Sequence, residues 1–379
     1  MDFNLTEEQA LLQQNLRAFA ARELAPGAIE RDETKEWPAE IMRQLGEMGL
    51  MGIMVPQEWG GAGMDAVAYA IAMEEIARAD AAISVAMGVN NSLVCMLLHN
   101  FGTEAQKEKY LKPLAAGEKL GAFSLSEPQA GSDASNLRCR AVRDGDGYRV
   151  TGTKNWVSSG LHSDYVILMA VTDPEAGNHG ISCLIVEKGW DGLTVGKPED
   201  KLGIRASDTT ELYFDNMRVP AENLVGNEGD GFKIALTSLD SGRIGIAAQA
   251  LGIAEAALRA SIAYARERKQ FGQPIASFQA VQFKLADMAT EIEAARLLTW
   301  RAAATKDAGG NYATQAAMAK LFASDSAMRA TTQCVQIHGG YGYMRETGVE
   351  RLMRDAKITQ IYEGTSEVQR MVIARSLLQ

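Results

Sequence analysis

Through the first 120 residues, apolar positions recur at three- and four-residue spacing, which predicts amphipathic helices. Thr6 and Gln9 form a capping box ahead of Leu12, Leu16 and Leu24, and Pro26 is expected to end that helix. Pro38 suits a first helical position before Ile41, Leu45 and Met48, with Gly49 closing the run. Asp65 caps a helix expected to reach Ile76. An apolar stretch then runs from Ala82 to Leu98, and Thr103 with Gln106 caps a further helix ending near Gly117.

The pattern changes near Gly121. RCRAV, Asp144-Gly145-Asp146-Gly147 and YRVTG read as a β-hairpin with a glycine-rich turn. DYVILMAV, ISCLIVEK, LTVGK and TELYFDNMRV continue as strand-like runs rich in Val and Ile, so a barrel or sandwich is expected. From Gly229 the helical period returns. Four long helices are expected over 232–266, 277–307, 313–337 and 346–377, the last interrupted near Glu363 and the others parted by paired glycines at 309–310 and 339–340. The fold class is therefore α+β: an N-terminal helical domain over 1–120, a middle β-barrel or sandwich domain over 121–228, and a C-terminal four-helix bundle over 229–379.

Composition narrows the classes. With 379 residues, 46% apolar and 23% charged, the chain is long enough for two or three domains and is not a disordered or disulfide-scaffold sequence. The net charge of −10 argues against nucleic acid as a partner. Asn90 and Asn91, or Arg243 and Gln249, break the longest apolar runs, so no membrane partner is expected. The start, MDFNLTEEQ, lacks a basic n-region, so no signal peptide is expected. Cys95, Cys139, Cys183 and Cys334 never form C-x-x-C, which suits free thiols in the cytoplasm.

Some motifs are decoys. Gly61-Ala62-Gly63-Met64-Asp65-Ala66 has the letters of a dinucleotide fingerprint, but Pro56 precedes it and Glu74 and Glu75 fall inside a helix; a turn and cap fit better. His162-Ser163-Asp164 are adjacent and cannot converge as a triad. His99, His162, His179 and His338 stand at no metal-ligand spacing, so no metal is expected. Other stretches carry more chemistry: LSEPQAGSD at the entry to the β region, TKNWVSSG with Trp156, RKQFG after the first bundle helix, QIHGGYGY at a glycine break, and IYEGTSEVQR, where Ser366 with Gln369 suits a helix cap. Taken singly, each has a plain reading as a turn, a core tryptophan, a helix end or a cap.

Together and in this order, LSEPQAGSD, KNWVSSG, DKLGIRASDTTEL, LDSGRIGIAAQALGIAEAA, RKQFG, QIHGGYGY and DAKITQIYEGTSEVQR resemble the acyl-CoA dehydrogenase family along essentially the whole chain. The short-chain, butyryl-CoA branch is the most similar. The resemblance implies FAD and oxidation of an acyl-CoA thioester to the trans-2-enoyl-CoA. It implies flavin contacts at Phe123, Leu125, Ser126, Ser132, Trp156, Val157 and Ser158. Contacts supplied across a subunit interface would come from Arg268, Phe271, Gln279, Gln336, Ile337, His338, Gly339 and Gly340, and contacts at the start of the last helix from Thr365, Ser366 and Glu367. Substrate contacts would be Ser132, Asp240, Ser241, Gly242, Arg243, Tyr362 and Gly364, although Arg243 has the plain alternative of pairing with Asp240, and Tyr362 that of core packing.

Glu363 matches the family's base, with the β-hydride passing to flavin N5 and electrons to electron-transfer flavoprotein. The thioester oxygen would accept from the Glu363 N–H and a ribityl hydroxyl, and exclusion of water is expected to raise the Glu363 pKa against the pull of a helix N-terminus. Some relatives carry the base where this chain has Gly242, which cannot act as one. The family also implies a homotetramer, a dimer of dimers. Branched, cyclic or dicarboxylic thioesters, a flavin oxidase and a non-catalytic scaffold remain as alternatives. The pocket floor is expected from residues 82–100, with Met87, Cys95, Met96 and Leu98 as candidates.

Overall fold

Both capping boxes form in the computed structural model, which describes residues 4–378. Thr6 Oγ1 accepts from the Gln9 N–H at 3.2 Å and Gln9 Oε1 from the Thr6 N–H at 3.1 Å, opening the helix Glu7–Phe19. Thr103 and Gln106 repeat the exchange at 3.2 and 3.0 Å. Pro26 does not end the first run. The chain passes through a π-helical turn, Ala20–Leu24, into a 3-10 turn, Ala25–Gly27, where proline's missing N–H is not needed. Pro38 stands just before the helix Ala39–Glu47 rather than inside it. Asp65 accepts from the Ala68 N–H at 2.7 Å and opens Ala66–Ala79. The glycine stretch before it is a turn, with Gly60 and Gly63 at φ +80° and +67°.

The apolar stretch forms one rod, Ala81–Phe101, with a π-helical middle at Val89–Cys95. Its two asparagines are buried and tie loops to it. Asn91 Oδ1 accepts from the Ile53 N–H at 2.8 Å, and Asn90 Oδ1 accepts from the Gly121 N–H at 2.9 Å. This rod and the helix Gly231–Glu267 are long and apolar enough to cross a membrane, but 89% and 67% of their most apolar windows are buried inside the fold.

Eight strands form one mixed sheet: β1 (Gly121–Ser124), β2 (Arg140–Asp144), β3 (Gly147–Ser158), β4 (Tyr165–Val171), β5 (Ile181–Glu187), β6 (Leu193–Val195), β7 (Thr209–Pro220) and β8 (Leu224–Val225). Their order is β6-β7-β3-β2-β4-β5-β8, with β1 on β4. The predicted hairpin joins β2 to β3 through Gly145 and Asp146, with Gly145 at φ +60° in the first central position. Val150 and Val157 of β3, Leu168 of β4, Val186 of β5 and Phe214 of β7 pack into a core within the sheet. Ile167 and Met169 on the other face of β4 join the helical core. Both faces of β4 are thus covered, which is why DYVILMAV reads as an unbroken apolar run.

The helix Gly231–Glu267 spans 37 residues, about 55 Å at ~1.5 Å per residue, and reaches from sheet to bundle. It packs unusually close to Ala66–Ala79, because a Cβ at Gly252 would lie 2.3 Å from the Glu74 carbonyl oxygen. Glu74 also pairs with Arg296 at 2.8 Å, joining that N-terminal helix to the bundle, and Glu75 with Arg17 at 2.6 Å, joining it to the helix Glu7–Phe19. A short ribbon, Lys269–Gln270 against Gln273–Pro274, follows. Then come Gln279–Asp307 and Ala313–His338. The last predicted helix is two, Val349–Thr359 and Ser366–Leu378, parted by the turn that carries Glu363.

Candidate active site

A cavity of about 120 Å³ lies where the Ala81–Phe101 rod, the long helix Gly231–Glu267 and the sheet meet. Val85, Gly88, Val89, Ser92 and Leu93 line it from the rod. None of Met87, Cys95, Met96 or Leu98 does; Met87, Cys95 and Leu98 are buried in the helical core. The π-helical turn at Val89–Cys95 shifts the helical period there, so an ideal period cannot say which side chains face inward. Tyr69 and Met73 add lining that sequence reasoning missed, as do Gly245 and Ile246. A Cβ at Gly245 would stand 2.4 Å from Tyr69 Oη. The three-residue spacing from Gly242 was the available signal.

Glu363 faces this cavity from the non-helical turn. The residue as a whole is half-buried, but its Oε2 is shielded from solvent and has no hydrogen-bond partner. Glu363 and Gly364 are both left-handed, at φ +53° and +90°. For glutamate that conformation is costly, and the surroundings hold it. Lys320 Nζ donates to the Gly364 carbonyl at 2.7 Å, and Gln369 Nε2 donates to the same oxygen at 2.8 Å. Burial pushes the Glu363 carboxyl up to about 7, against the opposing pull of Lys320 and Arg243. Gly242 makes the approach possible: a Cβ there would lie 2.0 Å from Glu363 Oε2. Glycine inside a helix costs about 0.5–1 kcal/mol relative to alanine, a cost offset here by room for the carboxylate.

Tyr362 lines the cavity beside Glu363 and donates to Gln249 Oε1; Gln249 Nε2 donates onward to Ser84 Oγ at 2.9 Å. Arg243 takes its plain alternative and pairs with Asp240 on the same helix. Ser241 accepts from Lys306 Nζ at 2.8 Å.

The sheet supplies another part of the lining, with Phe123, Leu125 and Ser126 from the β1 end and Asn155, Trp156 and Ser158 from β3. An ion pair absent from the sequence reading ties the two segments together. Lys154 Nζ donates to Glu127 Oε1 at 2.7 Å and to the Leu125 carbonyl at 2.8 Å, both side chains being almost fully buried. Burial alone would raise the Glu127 carboxyl; Lys154 and the backbone donors outweigh it and hold it below the usual range. Trp156 remains 62% exposed at φ +59°. Ser124 Oγ, Asn155 Oδ1 and Ser159 Oγ are shielded from solvent without a partner.

The other expected residues fall elsewhere. Ser132 is exposed, and Val157 points into the core within the sheet. Arg268 and Ile337 to Gly340 line a second groove that shares no residue with the cavity. There Arg268 lies over the Tyr341 ring at 5.6 Å. Phe271, at the ribbon's turn, is 93% exposed, and Gln279 and Gln336 are exposed on their helices. Thr365 to Glu367 line a third groove with Asp325 and Arg370. Thr365 Oγ1, not Ser366, accepts from the Val368 N–H at 3.3 Å, because Ser366 already lies inside the helix. His162 Nδ1 pairs with Asp208 at 2.8 Å and no triad forms. No cluster of metal-ligating side chains occurs among the described residues.

This fold and this site define a class. Three family models match the chain: "Acyl-CoA dehydrogenase, N-terminal domain" over residues 6–118, the middle domain over 122–217 and the C-terminal domain over 229–378. The chain belongs to the acyl-CoA dehydrogenase family of FAD-dependent oxidoreductases. Among its relatives, it is 51% identical over 374 residues to the short-chain specific acyl-CoA dehydrogenase of Clostridium acetobutylicum, covering 99% of each chain. It matches the structure of butyryl-CoA dehydrogenase from Megasphaera elsdenii with a TM-score of 0.98, at 49% identity and 100% coverage of both chains. A chain of the structure described as the electron transferring flavoprotein of Acidaminococcus fermentans matches with a TM-score of 0.99, at 51% identity and 100% coverage of both.

Proposed function

We propose that this protein oxidises a short-chain acyl-CoA to the trans-2-enoyl-CoA, with Glu363 as the base that takes the α-proton. One observation carries the reading: a buried, unpartnered carboxylate oxygen at a cavity that is lined by apolar side chains and by the Leu125–Ser126 and Trp156–Ser158 segments. A free carboxylate is too weak a base for a thioester α-proton. Raising its pKa to about 7 brings it to the working pH, where a substantial fraction is still ionised. The Glu363 N–H is the donor to the thioester oxygen in this reading, a contact of a kind worth about 2.7–4 kcal/mol in the transition state. Tyr69, Met73, Val85 and Leu93 exclude water around the acyl group.

FAD, when bound, supplies the two-electron acceptor that receives the β-hydride. The residues present fit it. Ser124 Oγ, Asn155 Oδ1 and Ser159 Oγ are polar atoms left unpartnered near Leu125 and Trp156, and Trp156 offers an exposed ring. Phe123, Leu125, Ser126, Trp156 and Ser158 hold it at the cavity in this reading. Arg268, Phe271, Gln279 and the 336–340 segment lie away from that cavity and serve a neighbouring copy, while Thr365 to Glu367 contact FAD from the start of the last helix in this reading. The protein accordingly works as an oligomer, a tetramer by family expectation. The exposure of Phe271 and of Tyr343, at 93% and 86%, supports this, and sedimentation in solution measures it.

The short-chain and butyryl-CoA dehydrogenase relatives support a short acyl chain. Among the described residues no Lys, Arg or His lines the cavity, so a dicarboxylic thioester fits poorly. Asp240 to Arg243 and Gly364 stay as substrate contacts in the proposal, with Arg243 already held by Asp240. Electron-transfer flavoprotein is the proposed acceptor, supported by the Acidaminococcus fermentans match, and the cytoplasm the proposed compartment, supported by four buried free cysteines. Anaerobic addition of butyryl-CoA tests the reading: the yellow protein bleaches if it holds, and an unbleached flavin refutes it.

A further inference from the structure

Lys320 has no exposed surface, in a stripe of Ala316, Ala319, Ala323 and Ala327 on the helix Ala313–His338. Its ammonium donates one hydrogen bond, to the Gly364 carbonyl at 2.7 Å, and among the described residues no carboxylate stands within ion-pair distance. A buried cation in that position is expensive. The hydrogen bond alone does not account for it, because the neutral amide of Gln369 already donates to the same carbonyl at 2.8 Å. What lysine adds is charge, and the acidic group it acts on first is Glu363, ahead of Asp325 and Glu367.

We propose that Lys320 is a positioning residue for Glu363: its ammonium pins the left-handed Glu363–Gly364 turn, and its charge stabilises the ionised carboxylate in a site that otherwise disfavours it. The proposal rests on the reading of Glu363 as the base. Each element packed on that carboxyl fits this division. From the long helix comes Arg243, whose charge is already shared with Asp240. Tyr69 comes from the helix Ala66–Ala79, and Tyr362 from the turn itself; burial raises both phenols, so they stay neutral. Lys320 is the group whose charge no carboxylate pairs. Burial lowers its own ammonium to about 8, so it is mostly cationic at neutral pH, where Glu363 must ionise.

The test is the rate of flavin reduction by butyryl-CoA against pH in the wild-type holoenzyme, Lys320→Gln and Lys320→Arg. Lys320→Gln removes the charge and keeps a donor. The midpoint of its profile is expected to rise by about one pH unit, slowing reduction about fivefold at pH 7 and little at pH 9, by the ionised fraction alone. Lys320→Arg keeps the charge and is expected to keep the wild-type midpoint. A uniform slowing of Lys320→Gln at every pH, with an unmoved midpoint, would show a structural tie only and overturn the proposal. Should Lys320→Gln fail to fold, a midpoint moved by a unit or more in Lys320→Arg overturns it instead. A wild type that butyryl-CoA does not bleach, or a Glu363→Gln variant that it bleaches normally, removes the base itself and is a distinct failure.

Discussion

Gly242→Ala isolates the catalytic contact from the stability of the fold. The added Cβ would lie 2.0 Å from Glu363 Oε2, 2.9 Å from Cδ and 3.1 Å from Leu93 Cδ2. The carboxylate must therefore retreat by about 1 Å, near the limit of normal contact distances. Its backbone cannot follow, being held at φ +53° with the next carbonyl tied to Lys320 and Gln369, so the side-chain torsions take the strain. Overpacking costs about 1–3 kcal/mol, offset by about 0.5–1 kcal/mol of better helix propensity, leaving a stability loss of about 2.5 kcal/mol or less. The rate responds more, because a ~1 Å misplacement of a reacting group costs about 10²-fold. Stopped-flow bleaching by butyryl-CoA should thus slow about a hundredfold in a variant that still binds flavin and melts cooperatively. Bleaching within threefold of wild type would refute the reasoning, because it would mean that the carboxylate need not occupy its observed place.

Two further outcomes follow from other groups. Glu363 has a folded pKa of about 7 against about 4.3 unfolded, so its contribution to wild-type stability is greatest below about 4.3 and is lost as pH rises through 7. At about 1.4 kcal/mol per unit, the difference approaches about 3–4 kcal/mol. Glu363→Gln should therefore melt near wild type at pH 5 and clearly higher at pH 8.5, by calorimetry; equal melting at both would contradict the buried charge. Glu127→Gln breaks the buried pair with Lys154, a kind of loss worth about 3–5 kcal/mol, and loosens Leu125 from β3. The variant should lose flavin on gel filtration, read as the ratio of visible to ultraviolet absorbance, and a wild-type ratio would count against a clamp.

What the chain reveals locally was legible. Both capping boxes, the Asp65 cap, the β2–β3 hairpin and the helical break at Glu363 rest on residues within a few positions of one another. The long helices came within a few residues of their observed bounds for the same reason. What was missed depends on partners far along the chain. β1 is only four residues long and exists by pairing parallel to β4. The π-helical turn at Val89–Cys95 moved the pocket lining off the expected methionines and cysteine. Glu127 read as part of a turn until its partner 27 residues away was seen. Lys320 could have been noticed as a lone charge in an alanine stripe; that it faces Glu363, 43 positions on, could not. For Glu363 itself the family resemblance marked the residue, and Gly242 supplied its physical reason only once the two were seen in contact.

The central claim is that Glu363 removes the α-proton of a short acyl-CoA at this cavity. Anaerobic titration of purified wild type and Glu363→Gln with butyryl-CoA, followed in the visible spectrum, tests it most directly. The account predicts a yellow wild type that bleaches with a stoichiometric amount of thioester, and a Glu363→Gln protein that keeps its flavin, binds the thioester and stays oxidised. A variant that bleaches at a near-normal rate would contradict it.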